Sequence, residues 1–274
     1  MGRKLFCELH PVCYTISEKK EICKRHVSNF FNKDIIAKEK SNLVLDNIVY
    51  SYSCNLIKKG KGVDINLQKN KAINIKLACE NINKIIIHPG EVFSFWSLVG
   101  KTTKKKGYKV GRVIERNMLI PGIGGGLCNL SNTINYLVLH SPLEIIEFHK
   151  HSDALAPEEG VRVPFSSGTS VNYNYIDYRF KNVTDQNVQL LVWCDDDRLY
   201  AELRSEVEFP VFYEIIEEDH CFKKEGEKFY RTSKIYRNII DRKTNEVIDK
   251  ELILDNHSEV MYDYDLIPND LIVE

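Results

Sequence analysis

The stretch "IPGIGGGLCNLSNTINYLVLHS", residues 120–141, places four glycines and a cysteine in front of an apolar run. Glycine adopts backbone angles that residues with a Cβ avoid, so these glycines predict a tight loop. The residues after the loop have the apolar spacing of a helix, which we expect from about Asn129 to His140. Cys128 would then lie at the start of that helix, where free amides and the helix dipole lower a thiol pKa.

Two histidines follow the predicted helix, on the segment "LEIIEFHKHSD" at 143–153, which alternates like a strand. His149 and His151 are two residues apart, so on a strand both side chains point to the same side. Either could act as base for Cys128, and Asp153 or Asp177 could orient the imidazole. This arrangement predicts a cysteine nucleophile with a histidine partner.

Two other interpretations of the glycine loop involve no catalysis. The amides of Gly124, Gly125 and Gly126 could bind an anion, or Cys128 could be a buried core residue. The loop matches neither the P-loop nor the dinucleotide fingerprint, and we expect no cofactor.

The order of patterns along the chain predicts an α+β fold with a largely antiparallel sheet and a few helices. Residues 1–40 have a helical pattern with Ser17 as a candidate N-cap, and 169–182 alternate like a strand. We expect three parts: an N-terminal helical segment at 1–54, a main domain at 55–200, and a small β-rich acidic C-terminal region at 201–274.

The composition excludes several classes of protein. The chain has 274 residues and a net charge of −1, so no overall field indicates nucleic acid or a membrane. Residues 1–194 hold 27 Lys and Arg against 17 Asp and Glu, whereas residues 195–274 hold 11 against 22. The N-terminus lacks the apolar stretch of a signal peptide, and no apolar run reaches the ~18 residues of a membrane span. We therefore expect a cytoplasmic protein whose eight cysteines are not a disulfide framework.

A second group of cysteines and histidines lies near the N-terminus: Cys7, His10, Cys13, Cys23 and His26. These residue types suit tetrahedral zinc, but their spacing matches no zinc-finger pattern. On a helix Cys23 and His26 share a face and could simply pack, so we predict no metal site.

Basic residues are concentrated in a stretch that we call the basic strip. Its members are Lys101, Lys104, Lys105, Lys106, Lys109, Arg112 and Arg116. Such a strip can attract an anionic ligand, although a solvated loop is the simpler interpretation. Aromatic residues among them are few, which disfavours nucleic acid.

Three blocks in order, "HPGEVFSFWSLVGKTTKKKGY" (88–108), the stretch from "IPGIGGGLCN" to "EFHKHS" (120–152), and "SVNYNYIDYRFKN" (170–182), resemble the VanW family. That family takes its name from a protein of glycopeptide-resistance gene clusters in Gram-positive bacteria. The resemblance implies a VanW-like domain at 55–200 and a link to vancomycin resistance or cell-wall metabolism.

The resemblance also places the family's conserved elements on this chain. Its Gly-Gly-Gly-x-Cys element falls on Gly124–Gly126 and Cys128, followed by Asn129 in place of the usual Gln. Its serine falls on Ser131, and its histidine pair falls on His149 and His151. Where many members have Asp-Ala-Thr, this chain has Gly168-Thr169-Ser170, so another acid would have to orient the histidine.

Two functions remain open at this point, and whether the protein is an enzyme is undecided. One is acyl or amide chemistry on a peptidoglycan-related substrate, with Cys128 as nucleophile, a histidine as base, and the Gly124–Gly126 amides stabilising the oxyanion. The other is a non-catalytic accessory module, with a peptidoglycan precursor or a cell-wall enzyme as its partner.

Overall fold

The computed structural model describes residues 5–57, 64–115, 118–155, 157, 162–165 and 168–273. Its α-helices are α1 (Phe6–Leu9), α2 (Pro11–Phe31), α3 (Ile65–Ile82), α4 (Phe95–Val99) and α5 (Leu127–Leu139). Its strands up to the C-terminal region are β1 (Asn47–Asn55), β2 (Ile85–Ile87), β3 (Val92–Ser94), β4 (Val110–Glu115), β5 (Met118–Ile123), β6 (Glu144–Glu147), β7 (Arg179–Lys181), β8 (Val188–Cys194) and β9 (Arg198–Ser205). The C-terminal strands are β10 (Val211–Glu225), β11 (Lys228–Asp241), β12 (Val247–Glu259) and β13 (Ile272–Val273).

The main core lies between two helices and an antiparallel sheet of order β1-β9-β8-β2. Alternate residues of β9 are buried, which places Leu199, Ala201 and Leu203 in the core with buried residues of α3 and α5. Helix α3 is capped by Asp64, whose carboxylate accepts hydrogen bonds from the first backbone amides of the helix. Burial of these apolar faces is what holds both helices on the sheet.

Smaller sheets surround this core. Strands β3, β7 and β6 form a three-stranded antiparallel sheet, and β4 and β5 form a hairpin that leads into the glycine loop. The C-terminal region forms a separate sheet of order β12-β11-β10-β13, antiparallel except for the β10–β13 pair. The α+β fold with mostly antiparallel sheets and a β-rich C-terminal part is therefore confirmed.

Two local predictions were wrong. Helix α2 begins at Pro11 with His10 as its N-cap, so Ser17 lies inside the helix, since proline is well suited to a first helical position. The predicted strand at 169–182 is regular only at Arg179–Lys181, because a turn containing Asn174 (φ +61°) interrupts it.

The predicted division into 1–54, 55–200 and 201–274 stays a prediction. Strand β1 runs across the predicted boundary between residues 54 and 55, because it ends at Asn55. Along its length it pairs with β9 of the main sheet. Strand β9 itself spans the second boundary, from Arg198 to Ser205.

Candidate functional site

Cys128 is the second residue of α5, directly after the predicted glycine loop. Gly126 caps the helix with a left-handed backbone (φ +97°) that favours glycine. The Cys128 thiol points at the backbone of a neighbouring segment, with Sγ 3.9 Å from the Val171 carbonyl oxygen. Burial raises the pKa of the Cys128 thiol. The expected lowering of this pKa was wrong, because loss of solvation is the dominant influence on the thiol.

The glycine loop is packed against other backbone. The Gly124 amide donates to the Lys109 carbonyl at 2.9 Å, and the Gly125 amide donates to Gly122 at 3.2 Å. A Cβ on Gly125 would lie 2.3 Å from the Gly111 carbonyl carbon of β4. Two of the three amides proposed as anion donors are therefore engaged within the protein, and the glycines here allow two chain segments to touch.

Asn74 of α3 holds this loop in place, a role that the sequence reasoning missed. Its side chain is fully buried and donates to the carbonyls of Lys109 and Gly125, at 3.1 and 2.9 Å. Its Oδ1 accepts from the Lys109 amide at 2.8 Å. An asparagine on the buried face of an amphipathic helix is the signal that could have identified it, since buried amides need partners.

The polar residues of α5 near Cys128 are bound mainly within the fold. Ser131 is buried and its hydroxyl donates to the Cys128 carbonyl at 3.0 Å. Asn129 Oδ1 lies 3.5 Å from the Cys54 thiol of β1, and Asn132 Oδ1 accepts from the Thr169 amide at 2.6 Å. Asn132 therefore anchors α5 to the segment that contains Thr169, Ser131 bonds within the helix, and Asn129 is half-buried.

The two predicted histidines lie on a short segment that runs antiparallel to 168–170. The His151 amide donates to the Gly168 carbonyl at 2.8 Å, and the Ser170 amide donates to the His149 carbonyl at 2.7 Å. The neighbouring Val171 is the residue that contacts Cys128. The histidines are thus one chain segment away from the thiol, and among the described residues neither ring hydrogen-bonds to it.

The two rings have different surroundings. His149 is partly exposed, and its Nε2 lies 2.9 Å from Glu147 Oε1. His151 donates from Nδ1 to the Ser152 carbonyl at 2.7 Å, and burial lowers the pKa of its ring. His149 is therefore the histidine with both solvent access and a carboxylate partner.

Glu147, which sequence reasoning did not single out, is the acid that contacts His149. It receives two hydrogen bonds from Arg25 of α2 and one from the Asp177 amide, at 3.2 Å. Burial alone would raise the pKa of Glu147, but the hydrogen bonds from Arg25 and His149 outweigh it and lower the pKa. Glu147 could have been identified from the sequence, because a residue two positions before His149 lies on the same face of a strand.

Asp177 and Asp153 have other partners. The fully buried Asp177 carboxylate accepts from the Ser94 hydroxyl at 2.6 Å and from Arg179 Nε at 2.7 Å. Asp153 pairs with Arg162 at 3.1 Å and lies 3.8 Å from Arg231 of β11. Asp177 therefore fixes the β7 region, and Asp153 ties the histidine segment to the C-terminal sheet.

The N-terminal cysteines and histidines lie on or beside α1 and α2. His10 caps α2, and both ring nitrogens of His26 lie within 3.3 Å of the Asn174 amide nitrogen. Within the described ranges, no three His, Cys, Asp or Glu side chains form a group that could hold a metal ion. None of the eight cysteines, all of which the structure describes, forms a disulfide.

The basic strip is exposed and adjoins the glycine loop. Lys101 Nζ lies 5.9 Å from the ring centroid of Tyr173, two residues after the Val171 carbonyl that contacts Cys128. Thr102 packs against Gly124, where a Cβ would lie 2.6 Å away. The exposed members, Lys101, Lys104, Lys105, Lys106, Lys109 and Arg112, form no ion pair with any acidic side chain that the structure describes. Arg116 lies outside the described residues.

Fold and site together define an α+β protein in which a glycine-capped helix carries a half-buried thiol beside an exposed basic strip. A family model described as "VanW like protein" matches residues 70–204, which include the glycine loop, both histidines and strands β2 and β8 of the main sheet. The chain belongs to the VanW family.

Two relatives support this membership. The chain is 28% identical over 263 residues to the Enterococcus faecalis protein named "Vancomycin B-type resistance protein VanW", an alignment covering 96% of this chain and 95% of that protein. It is 32% identical over 120 residues to the uncharacterised protein YoaR of Bacillus subtilis, covering 44% of this chain and 38% of YoaR. No solved structure matches the chain significantly.

Proposed function

We propose that this protein acts in glycopeptide resistance or cell-wall metabolism by binding an anionic cell-wall precursor at the basic strip, beside the start of α5. The similarity to a vancomycin-resistance protein over nearly the whole chain supports the process. The observation that carries the binding role is the cluster of exposed cations without acidic partners among the described side chains. Uncompensated positive charge attracts phosphate-bearing ligands.

The position of the strip gives the ligand a defined contact surface. Lys101 stacks over Tyr173, so a sugar or peptide attached to the phosphate would meet an aromatic ring. The positive end of α5 lies behind the same loop and adds to the field. Burial raises the pKa of the Cys128 thiol and therefore disfavours the nucleophilic thiolate. Ligand binding is accordingly the better explanation of the site than nucleophilic attack.

Calorimetric titration of a nucleotide-linked peptidoglycan precursor into the full-length chain tests the proposal. The triple variant Lys104→Glu, Lys105→Glu, Lys106→Glu should bind roughly tenfold or more weakly, since close surface charges contribute about 1 kcal/mol each. The matched control Lys223→Glu, Lys224→Glu changes two exposed lysines of β10 and should bind as the wild type does. Equal binding by the triple variant would refute the proposal.

A second candidate function is Cys/His acyl or amide chemistry on a peptidoglycan-related substrate. The contact that favours it is the 2.9 Å bond between His149 and Glu147, since a carboxylate-oriented imidazole is a competent general base. Cys128 would attack only after a rearrangement that brings the thiol and an imidazole together.

Complementation of a strain lacking the gene, scored by glycopeptide resistance, separates the two functions. Under the binding proposal Cys128→Ser and His149→Gln retain resistance, whereas the triple lysine variant loses it. Under the chemical alternative both single variants lose resistance while still binding the precursor. Circular dichroism of each purified variant confirms that it remains folded.

A further inference from the structure

Helix α2 turns polar residues toward the protein and apolar residues toward solvent. On its inner side Arg25 Nη1 donates to Glu147 Oε2 at 2.7 Å, and Asn29 Oδ1 accepts from Arg179 at 2.8 Å. These contacts fix the rotation of the helix about its axis. None of its described residues is buried, which is the reverse of the usual surface helix, whose apolar stripe faces the core.

The outer side of α2 carries an apolar stripe. Val12, Ile16, Val27 and Phe30 are 58%, 51%, 53% and 82% exposed. At ~100° per residue these four positions fall within about 60° around the helix axis. Cys23 lies between them and lines a shallow depression together with Val27 and two lysines. An exposed apolar surface of this extent marks an interaction site.

Lysines border this stripe. Lys19 and Lys20 are exposed on either side of it, and neither forms an ion pair with any acidic side chain in the part of the chain that the structure describes. Lys24 lies one turn further on, paired with Glu21 at 2.8 Å. A second copy of the chain would bring these like charges together, which disfavours self-association through this face. An anionic surface would instead meet both the cations and the apolar stripe.

We propose that the outer face of α2 docks the protein on an anionic phospholipid bilayer surface. Helices with this composition lie in the plane of the interface, with apolar side chains among the acyl chains and lysines at the headgroups. No helix in the described ranges is apolar enough over its length to cross a bilayer. Docking through this face would leave α2 and its Arg25–Glu147 pair between His149 and the membrane.

Sedimentation of the full-length chain with vesicles tests this proposal. We expect binding to phosphatidylglycerol-containing vesicles, weaker binding to pure phosphatidylcholine vesicles, and release by high salt. The variant Val27→Ser, Phe30→Ser should partition roughly tenfold or more weakly, since the buried apolar area drives insertion. The variant Lys19→Glu, Lys20→Glu should lose at least about fivefold per lysine on anionic vesicles.

Two exposed apolar residues outside α2, Val207 between β9 and β10 and Leu252 of β12, provide the matched control. The variant Val207→Ser, Leu252→Ser removes side chains that are 62% and 53% exposed and should bind vesicles as the wild type does. The proposal is overturned if the wild type does not bind anionic vesicles, or if the stripe variant binds as well as the control. It is also overturned if light scattering shows a dimer that Phe30→Ser dissociates, which would assign this face to a second copy.

Discussion

Arg25 of the N-terminal helix donates to Glu147 at 2.7 Å across 122 residues of sequence, and Glu147 in turn holds the His149 ring. A helix without buried residues is thereby connected to the candidate site by a charged pair whose two side chains are only 19% and 16% exposed. The pair determines both where α2 lies and how His149 is oriented.

Removing either side chain of this pair should destabilise the protein, and the two effects should not be additive. We expect Arg25→Ala and Glu147→Gln each to lower the free energy of unfolding, with a coupling of about 2 kcal/mol in the double-mutant cycle. The measurement is urea denaturation of the four proteins at pH 7. Additive effects would mean that the pair contributes no interaction of its own.

The same pair predicts a loss of stability in acid. The pKa of Glu147 is lowered in the folded protein, so its contribution is fully present above the ordinary glutamate value of 4.5 and is lost as the pH falls through the folded pKa. Unfolding free energies measured between pH 6 and pH 3 should therefore fall less steeply for Glu147→Gln than for the wild type. Parallel curves would contradict the assignment.

A second pH effect should arise from His140 at the end of α5. The ring stacks on Tyr50 with centroids 3.7 Å apart, and burial lowers its pKa to about 4. Because the unfolded chain binds the proton first, stability is fully present above pH 6.5 and falls by about 3 kcal/mol as the pH drops toward 4. In His140→Phe, which keeps a ring against Tyr50, the fall in stability between pH 6.5 and 4.5 should be smaller by this contribution, while the contribution of the buried His151 remains.

The glycine loop should tolerate substitution poorly for a steric reason. A Cβ at Gly125 would meet the β4 backbone at 2.3 Å, so Gly125→Ala should cost about 2–3 kcal/mol of unfolding free energy. Gly90→Ala is the control, since that site has a positive φ but no atom within 4 Å, and should cost about 1 kcal/mol. Both free energies of unfolding are measured by urea denaturation. If the two variants lose equal amounts, the backbone at Gly125 can move to make room for a Cβ.

Cys128 should be a slow thiol. Because burial raises its pKa and the thiol faces the Val171 carbonyl, iodoacetamide should modify Cys128 at least about tenfold more slowly than the exposed Cys23. Mass spectrometry of tryptic peptides gives both rates in one sample, and Cys128→Ser verifies the peptide assignment. If Cys128 reacts fastest, the chemical alternative becomes the better function.

Much of the local structure follows from the sequence. Helical spacing identified α5 within a few residues, although this helix is buried on all sides from Leu130 to Leu139. The strand predicted at 169–182 was wrong because alternation of side chains does not reveal the left-handed backbone of Asn174, which interrupts the strand. The predicted site stays a prediction: the thiol and both histidines lie on neighbouring segments, and the acid beside His149 is Glu147.

The sequence by itself determined the class of fold, the glycine-bounded start of α5 and the family, because backbone preference and side-chain periodicity are local properties. Tertiary structure alone decided the ionisation of Cys128, the partner of His149 and the outward direction of the α2 stripe. Those features depend on distances between residues far apart in the chain and on how completely water is excluded, and neither is encoded in the spacing of nearby residues.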